Sequence, residues 1–319
     1  MDSTSRDAAS DWVKLIREVL EPAHEGAIEA WMCTPKASRF YCNPLEAQEG
    51  ALVEVLLSLS GANLSLHGTQ DESNPYLQVY DWCMQRIPHL GLKLFKTVEE
   101  IAPAEHQVLS ELVLDATQPL LRWRADLGHF VSSSVYDNFH RFVHEPLTNH
   151  FAFAIPNQEA INLLVKYSPI IEIGAGTGYW ASLAQAAGAQ VEAYDIVDCG
   201  QPRGRHFMNV LPGGSEMLEK IPHGQLSESR TLLLCWPVRP GGLPWDVEAL
   251  QRFRGDTVIH VGEWADSTAL VEPVHGQTTS LAFQNALQIS FKQIDRVPIP
   301  NWPWCRDVVT VWKRLKVYS

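Results

Sequence analysis

Apolar residues recur at helical spacing over roughly the first half of the chain and then give way to short β-branched runs separated by polar and glycine-containing stretches. In the first half, Asn43-Pro44-Leu45-Glu46 supplies an N-cap residue, a proline at the first helical position and a glutamate at the third. It opens an apolar run through Leu57 that stops at Gly61. Asn74-Pro75 repeats the start signal and predicts a helix from Tyr76 to Ile87. Helical periodicity also covers Arg6 to Leu20, Ala104 to Leu121 and Val135 to Val143. Beyond about residue 150 the pattern predicts strands at 169–173, 190–195, 206–210, 231–236, 256–262, 290–297 and 307–314, with helices between most of them. The last two strands are joined only by Pro298-Ile299-Pro300-Asn301-Trp302-Pro303-Trp304, so they are expected to pair as an antiparallel hairpin. The expected architecture is α/β: an α-helical N-terminal domain over residues 1–149, then a doubly wound sheet over 150–319.

Composition narrows the function classes. Hydrophobic residues make up 45% of the 319 positions and charged residues 19%, which is ordinary globular usage and not that of a disordered chain. The start is polar and acidic rather than signal-like, and no segment approaches a membrane-spanning apolar stretch, so a soluble, cytoplasmic protein is expected. Six scattered cysteines form no C-x-x-C pair, which suits reduced thiols and offers no zinc spacing. The net charge of −12 sits mostly in the first half, where 11 Lys and Arg face 21 Asp and Glu; the second half has 14 against 16. Neither half carries the basic stripe that a phosphate backbone requires, so a small-molecule substrate is favoured over nucleic acid.

The chemistry concentrates at Ile170-Ile171-Glu172-Ile173-Gly174-Ala175-Gly176-Thr177-Gly178-Tyr179-Trp180. An apolar strand running into glycines lets the backbone bend and approach a ligand without an intervening Cβ, while the next helix points its N–H groups there. Asp195 lies 17 residues past Gly178, at the expected end of the second strand, where a carboxylate can accept both hydroxyls of a ribose. The dinucleotide fingerprint G-x-G-x-x-G needs glycine at 179, where tyrosine stands. The pattern E-x-G-x-G-x-G instead resembles motif I of the Rossmann-like class I S-adenosylmethionine-dependent methyltransferases. The segments A-I-P, E-I-G-A-G-T-G-Y-W and L-L-L-x-W-P are similar to those of a largely uncharacterised group within that superfamily. The resemblance implies a seven-stranded sheet ending in a hairpin and S-adenosyl-L-methionine as cofactor. It assigns Glu172, Gly174, Ala175, Gly176, Gly178, Asp195 and Ile196 to the cofactor, with Glu172 serving the methionine ammonium.

The substrate side is less defined. Leu232-Leu233-Leu234-Cys235-Trp236-Pro237-Val238-Arg239 falls where amino-methyltransferases of this layout carry an Asp/Asn/Ser-Pro-Pro-aromatic motif, but here one proline is kept and Cys235 replaces the polar residue. Trp236 remains able to stack on a flat substrate. His150 to Ala160 resembles the segment that closes over the methionine end of the cofactor. Glu263 and Trp264, after the fifth strand, are expected to face the pocket, with Glu263 a candidate general base. Tyr136, His140 and His144 share a helix face by their spacing of four, and Tyr136 joins Glu263 as a catalytic candidate. No spacing argues for a metal. The expected activity is methyl transfer to N, O or S of a small molecule; a nucleic-acid or protein N-methyltransferase, a non-catalytic S-adenosylmethionine-binding regulator and a nicotinamide or flavin oxidoreductase are the alternatives.

Overall fold

The structure, a computed structural model, describes residues 14–33, 44–62, 74–86, 139–196, 207–220, 230–237, 244–264, 278–302 and 305–315. A π-helical turn Ile16–Leu20 leads into α1 (Glu21–Cys33), followed by α2 (Pro44–Ser60) and α3 (Pro75–Arg86). Helix α2 spans the residues its start and stop signals mark, and Gly61 takes the left-handed conformation (φ 70°) that ends it. A second π-helical turn, His140–His144, runs into α4 (Glu145–His150). The expected helix at Ala104–Leu121 lies outside the described residues.

The second half alternates as the pattern predicts: α5 (Gln158–Lys166), β1 (Ile170–Ile173), α6 (Tyr179–Ala186), β2 (Val191–Asp195), β3 (Val210–Pro212), α7 (Met217–Lys220), β4 (Thr231–Cys235), α8 (Trp245–Arg252), β5 (Thr257–Gly262), α9 (Leu281–Ser290), β6 (Phe291–Pro298) and β7 (Val308–Arg314). One strand is displaced from its expected position. The span 206–210 overlaps β3 only at Val210, because the ladder to β2 pairs Ala193 with Val210 and Asp195 with Pro212. A short edge strand with no alternating pattern gives little sequence signal.

The sheet order is β3-β2-β1-β4-β5-β7-β6, with the first five strands parallel and β7 antiparallel to both β5 and β6. This is the α/β Rossmann-like arrangement with a terminal antiparallel hairpin. The strand order reverses between β1 and β4, and a crevice opens beyond the carboxyl ends of strands at such a point.

Alternation along the strands divides the core. Ile171 and Ile173 of β1, with Leu232 and Leu234 of β4, pack beneath α8 and α9 with Phe253, Phe283 and Trp312. Ile170, Leu233, Ile259 and Val311 pack on the opposite face with α5 and α6. Among the described residues, Ile16, Leu52, Leu56, Tyr76 and Phe142 of the N-terminal helices pack into one apolar cluster with Phe151, Tyr179, Trp302 and Cys305. The Trp302 indole donates to the Tyr76 hydroxyl at 2.9 Å within that cluster. Among the described residues, no helix is long and apolar enough to cross a membrane.

Candidate functional site

The loop from β1 to α6 is held against β2 by its own backbone. Gly174 and Ala175 donate to the Tyr194 carbonyl at 2.8 and 3.0 Å, and Gly176 donates to the Asp195 carboxylate at 2.5 Å. The Asp195 carbonyl accepts from Gly213, which ties the loop after β3 to the same point. Two glycines have no substitute. At Gly174 (φ +74°) a Cβ would lie 2.6 Å from the Trp245 ring, and at Gly178 (φ +73°) it would meet Val210 and Met208 at 2.8 and 2.9 Å.

The segment before β1 is stitched over this loop. The Thr177 hydroxyl donates to the Phe151 carbonyl, and the Trp180 indole donates to the Ala154 carbonyl at 3.1 Å. Asn74, at the head of α3, accepts from the Tyr179 hydroxyl at 2.7 Å and donates to the Pro156 carbonyl at 2.6 Å. The N-terminal helices therefore brace the cleft wall. Asn157 caps α5 by accepting from Ala160 at 2.9 Å, so the chain leaves the cleft at the proline marked in the sequence.

The result is a cleft of about 540 Å³, within the ordinary range for a small-molecule site. Glu172, Gly174, Ala175, Gly176, Asp195 and Ile196 line it, and Trp236 forms part of its far wall. Gly178 stands just behind the lining as the left-handed N-cap of α6. Glu172 is 2% exposed, and one of its oxygens has no hydrogen-bond partner. Burial and then the charge of Asp195 push its carboxyl up to about 8.

Trp236 takes φ 47°, the one left-handed non-glycine among the described residues, and its ring stacks on Phe153 at 5.2 Å with a 17° interplanar angle. Backbone held in this region away from glycine marks a position that its surroundings over-determine. Its N–H donates to the Val261 carbonyl at 2.9 Å, which carries the chain across the end of β5.

That crossing explains a departure from expectation. Glu263 and Trp264 were expected in the pocket, yet neither is among its lining residues. Because β7 pairs directly with β5, the residues entering β7 cover the end of β5: the Arg306 N–H donates to Glu263 Oε1 at 3.1 Å. Trp264 packs at 4.9 Å from Trp312 in the sheet core. Tyr136 lies outside the described residues, as do Val238 and Arg239. His140 and His144 do share a face, with rings 5.0 Å apart, but His144 packs edge-on against Trp302 and neither lines the cleft.

Three further contributors come from elements distant in sequence from the glycine loop. Trp245, at the start of α8, lies over Gly174 and lines the cleft, without any local signal to mark it. Gly213 to Glu216 line the side beyond Asp195; the Gly213-Gly214 pair was a turn signal obscured by the misplaced third strand. Asp307, just before β7, is buried beside Glu263, and burial and then Glu263 push its carboxyl well above the usual range. Among the described residues, no group of histidine, cysteine and carboxylate side chains could hold a metal ion.

No family model matches the chain, and no curated protein matches it. Among solved structures, the chain is similar to the N,N-8-amino-8-demethyl-D-riboflavin dimethyltransferase RosA from Streptomyces davawensis, at 14% identity and a TM-score of 0.42 over 99% of this chain and 100% of that one. Human N-acetylserotonin methyltransferase matches at 12% identity and a TM-score of 0.38, covering 99% of each chain. The N-methyltransferase NodS from Bradyrhizobium japonicum WM9 matches at 9% identity and 0.35, over 50% of this chain and 87% of that one.

Proposed function

We propose that the protein is an S-adenosyl-L-methionine-dependent methyltransferase acting on a small molecule. The observation that carries this reading is one junction: a glycine loop at the end of β1 bonded to the β2 carboxylate, opening on a cleft with a buried, unpartnered carboxyl oxygen. The group and the site fit in chemistry. The backbone at Gly174 to Gly178 admits a ligand closely, Asp195 retains acceptor capacity for ribose hydroxyls, and Glu172 answers an ammonium. A pyrophosphate would instead meet the Asp195 carboxylate and the buried acid of Glu172 at this helix start.

When bound, the cofactor supplies a methyl group on a sulfonium, activated for displacement. The chain's own residues orient and exclude water. Phe151, Ala152, Phe153, Trp236 and Pro237 give the cleft apolar lining, with Phe153 and Trp236 stacked into one wall, so an acceptor is held in line against apolar surface. Cys235 lines the cleft beside Trp236 with its thiol pushed up by burial and by Glu172, so it serves as neutral wall and not as a nucleophile. We assign Glu263 to the support behind that wall, where it is 1% exposed and bonded to the Arg306 backbone. Calorimetric titration with S-adenosylmethionine, S-adenosylhomocysteine and NAD tests the reading. Micromolar binding of the first two and not of NAD is expected; binding of NAD alone would overturn it.

A further inference from the structure

The carboxyl edge of the sheet carries more acid than the cofactor uses. Reading across it, Asp195 ends β2, Glu172 stands in β1 opposite Leu233 of β4, Glu263 follows the last residue of β5, and Asp307 precedes the first residue of β7. The ladder that pairs Gly262 with Val308 brings the last two side by side behind Trp236. Glu172 and Asp307 are 2% and 4% exposed, and each keeps a buried oxygen without a hydrogen-bond partner. The cleft itself is lined by Glu172, Asp195, Glu216 and Glu248 and, among the described residues, by no lysine, arginine or histidine.

We infer that the methyl acceptor is an uncharged nitrogen on a planar aromatic molecule, an inference that rests on the methyltransferase reading and names its substrate class. The Phe153 and Trp236 stack and Pro237 give a flat apolar wall suited to a ring. Charge then selects the atom. A neutral nitrogen uses its lone pair to form the N–CH3 bond as the C–S bond breaks and its electron pair stays on sulfur. The positive charge passes from sulfur to nitrogen, which afterwards sheds a proton to water. That charge develops in a cleft lined by Glu172 and, among the described residues, by no cationic side chain, so the site stabilises the acceptor as it becomes cationic. An oxygen acceptor must give up its proton in the step, and among the described residues no cationic side chain lines the cleft to stabilise the oxyanion that develops. Cys235 reports the same field, since after burial it is Glu172 and Asp307 that resist its ionisation. Carboxylate and phosphate acceptors are disfavoured for the same reason, and an alkylammonium has no free lone pair.

The test uses sinefungin, the cofactor analogue with an ammonium-bearing carbon in place of the sulfonium methyl, against S-adenosylhomocysteine, which is neutral there. Calorimetry on the full chain is expected to show sinefungin binding at least tenfold more tightly, with Asp307→Asn narrowing the ratio at least threefold. Glu263→Gln provides the same comparison should Asp307→Asn fail to fold. Equal affinity, or tighter binding of S-adenosylhomocysteine, would overturn the nitrogen assignment, because the acids would then exert no pull on a positive charge at the point of transfer. Failure of both ligands to bind would remove the methyltransferase reading instead.

Discussion

The two halves of the sheet's carboxyl edge hold their acids in opposite ways. On the β1–β2 side, Asp195 accepts from the Gly176 backbone at 2.5 Å, within a loop where Gly174, Ala175 and Gly178 also donate to backbone carbonyls. On the β5–β7 side, Asp307 is buried beside a second carboxyl, with one oxygen unpartnered. Glu172 stands between them, buried like Asp307 but open to the cleft like Asp195. A carboxylate bonded to backbone N–H groups is a finished ligand platform, whereas a buried unpartnered one is stable chiefly when neutral and becomes useful when a cation arrives.

The contrast breaks most severely at the rigid half. Gly174→Val places a Cβ within 2.6 Å of the Trp245 ring at a left-handed φ, so it is expected to cost about 3 kcal/mol or more of stability and to abolish cofactor binding. Thermal denaturation and calorimetry check this together. Next comes Glu172. Its carboxyl is raised to about 8 from 4.5, so its contribution to folding is fully present below pH 4.5 and is lost as the pH rises through 8. The lost stability is on the order of a few kcal/mol. Denaturant unfolding of the ligand-free protein should therefore show Glu172→Gln gaining on the wild type between pH 5 and about pH 8.5. A constant difference would place Glu172 in a wetter environment than the structure shows.

Asp195→Ala, which removes charge-assisted bonds to a ribose, is expected to weaken cofactor binding by about 1.5–3 kcal/mol while leaving the fold intact. Unchanged affinity would take Asp195 out of the site. The smallest effect is expected away from the cleft. Arg230 meets Glu192 at 2.6 and 2.9 Å, but the carboxylate is 45% exposed, so Arg230→Ala should change stability by about 1 kcal/mol or less and leave ligand binding alone.

The same contrast explains what could be read from the sequence. The cofactor half is local: Glu172, the glycines and Asp195 lie within 24 consecutive positions, and each is placed by strand ends and turns that leave periodic or glycine signals. The acceptor half is assembled by pairing between distant strands. Trp236, Glu263 and Asp307 are neighbours only because β7 inserts between β5 and β6 in antiparallel fashion. The hairpin itself was predictable, but its consequence for Glu263 and Trp264 was not: the strand-end rule for parallel sheets fails where an antiparallel neighbour covers the end. Trp245 was unreadable for a different reason. It reaches Gly174 across the crevice from a helix with no sequence link to the loop.

The most direct test of the account is the proton balance of cofactor binding. With Glu172 raised to about 8 when the cleft holds no cation, an entering ammonium draws its proton off. Calorimetric titration of the wild type with S-adenosylmethionine at pH 7, repeated in buffers of different ionisation enthalpy, should show release of about one proton, and Glu172→Gln should bind more weakly with that release abolished. Tight binding without proton release by the wild type, or equal release by Glu172→Gln, would contradict the role of Glu172 at the centre of the site.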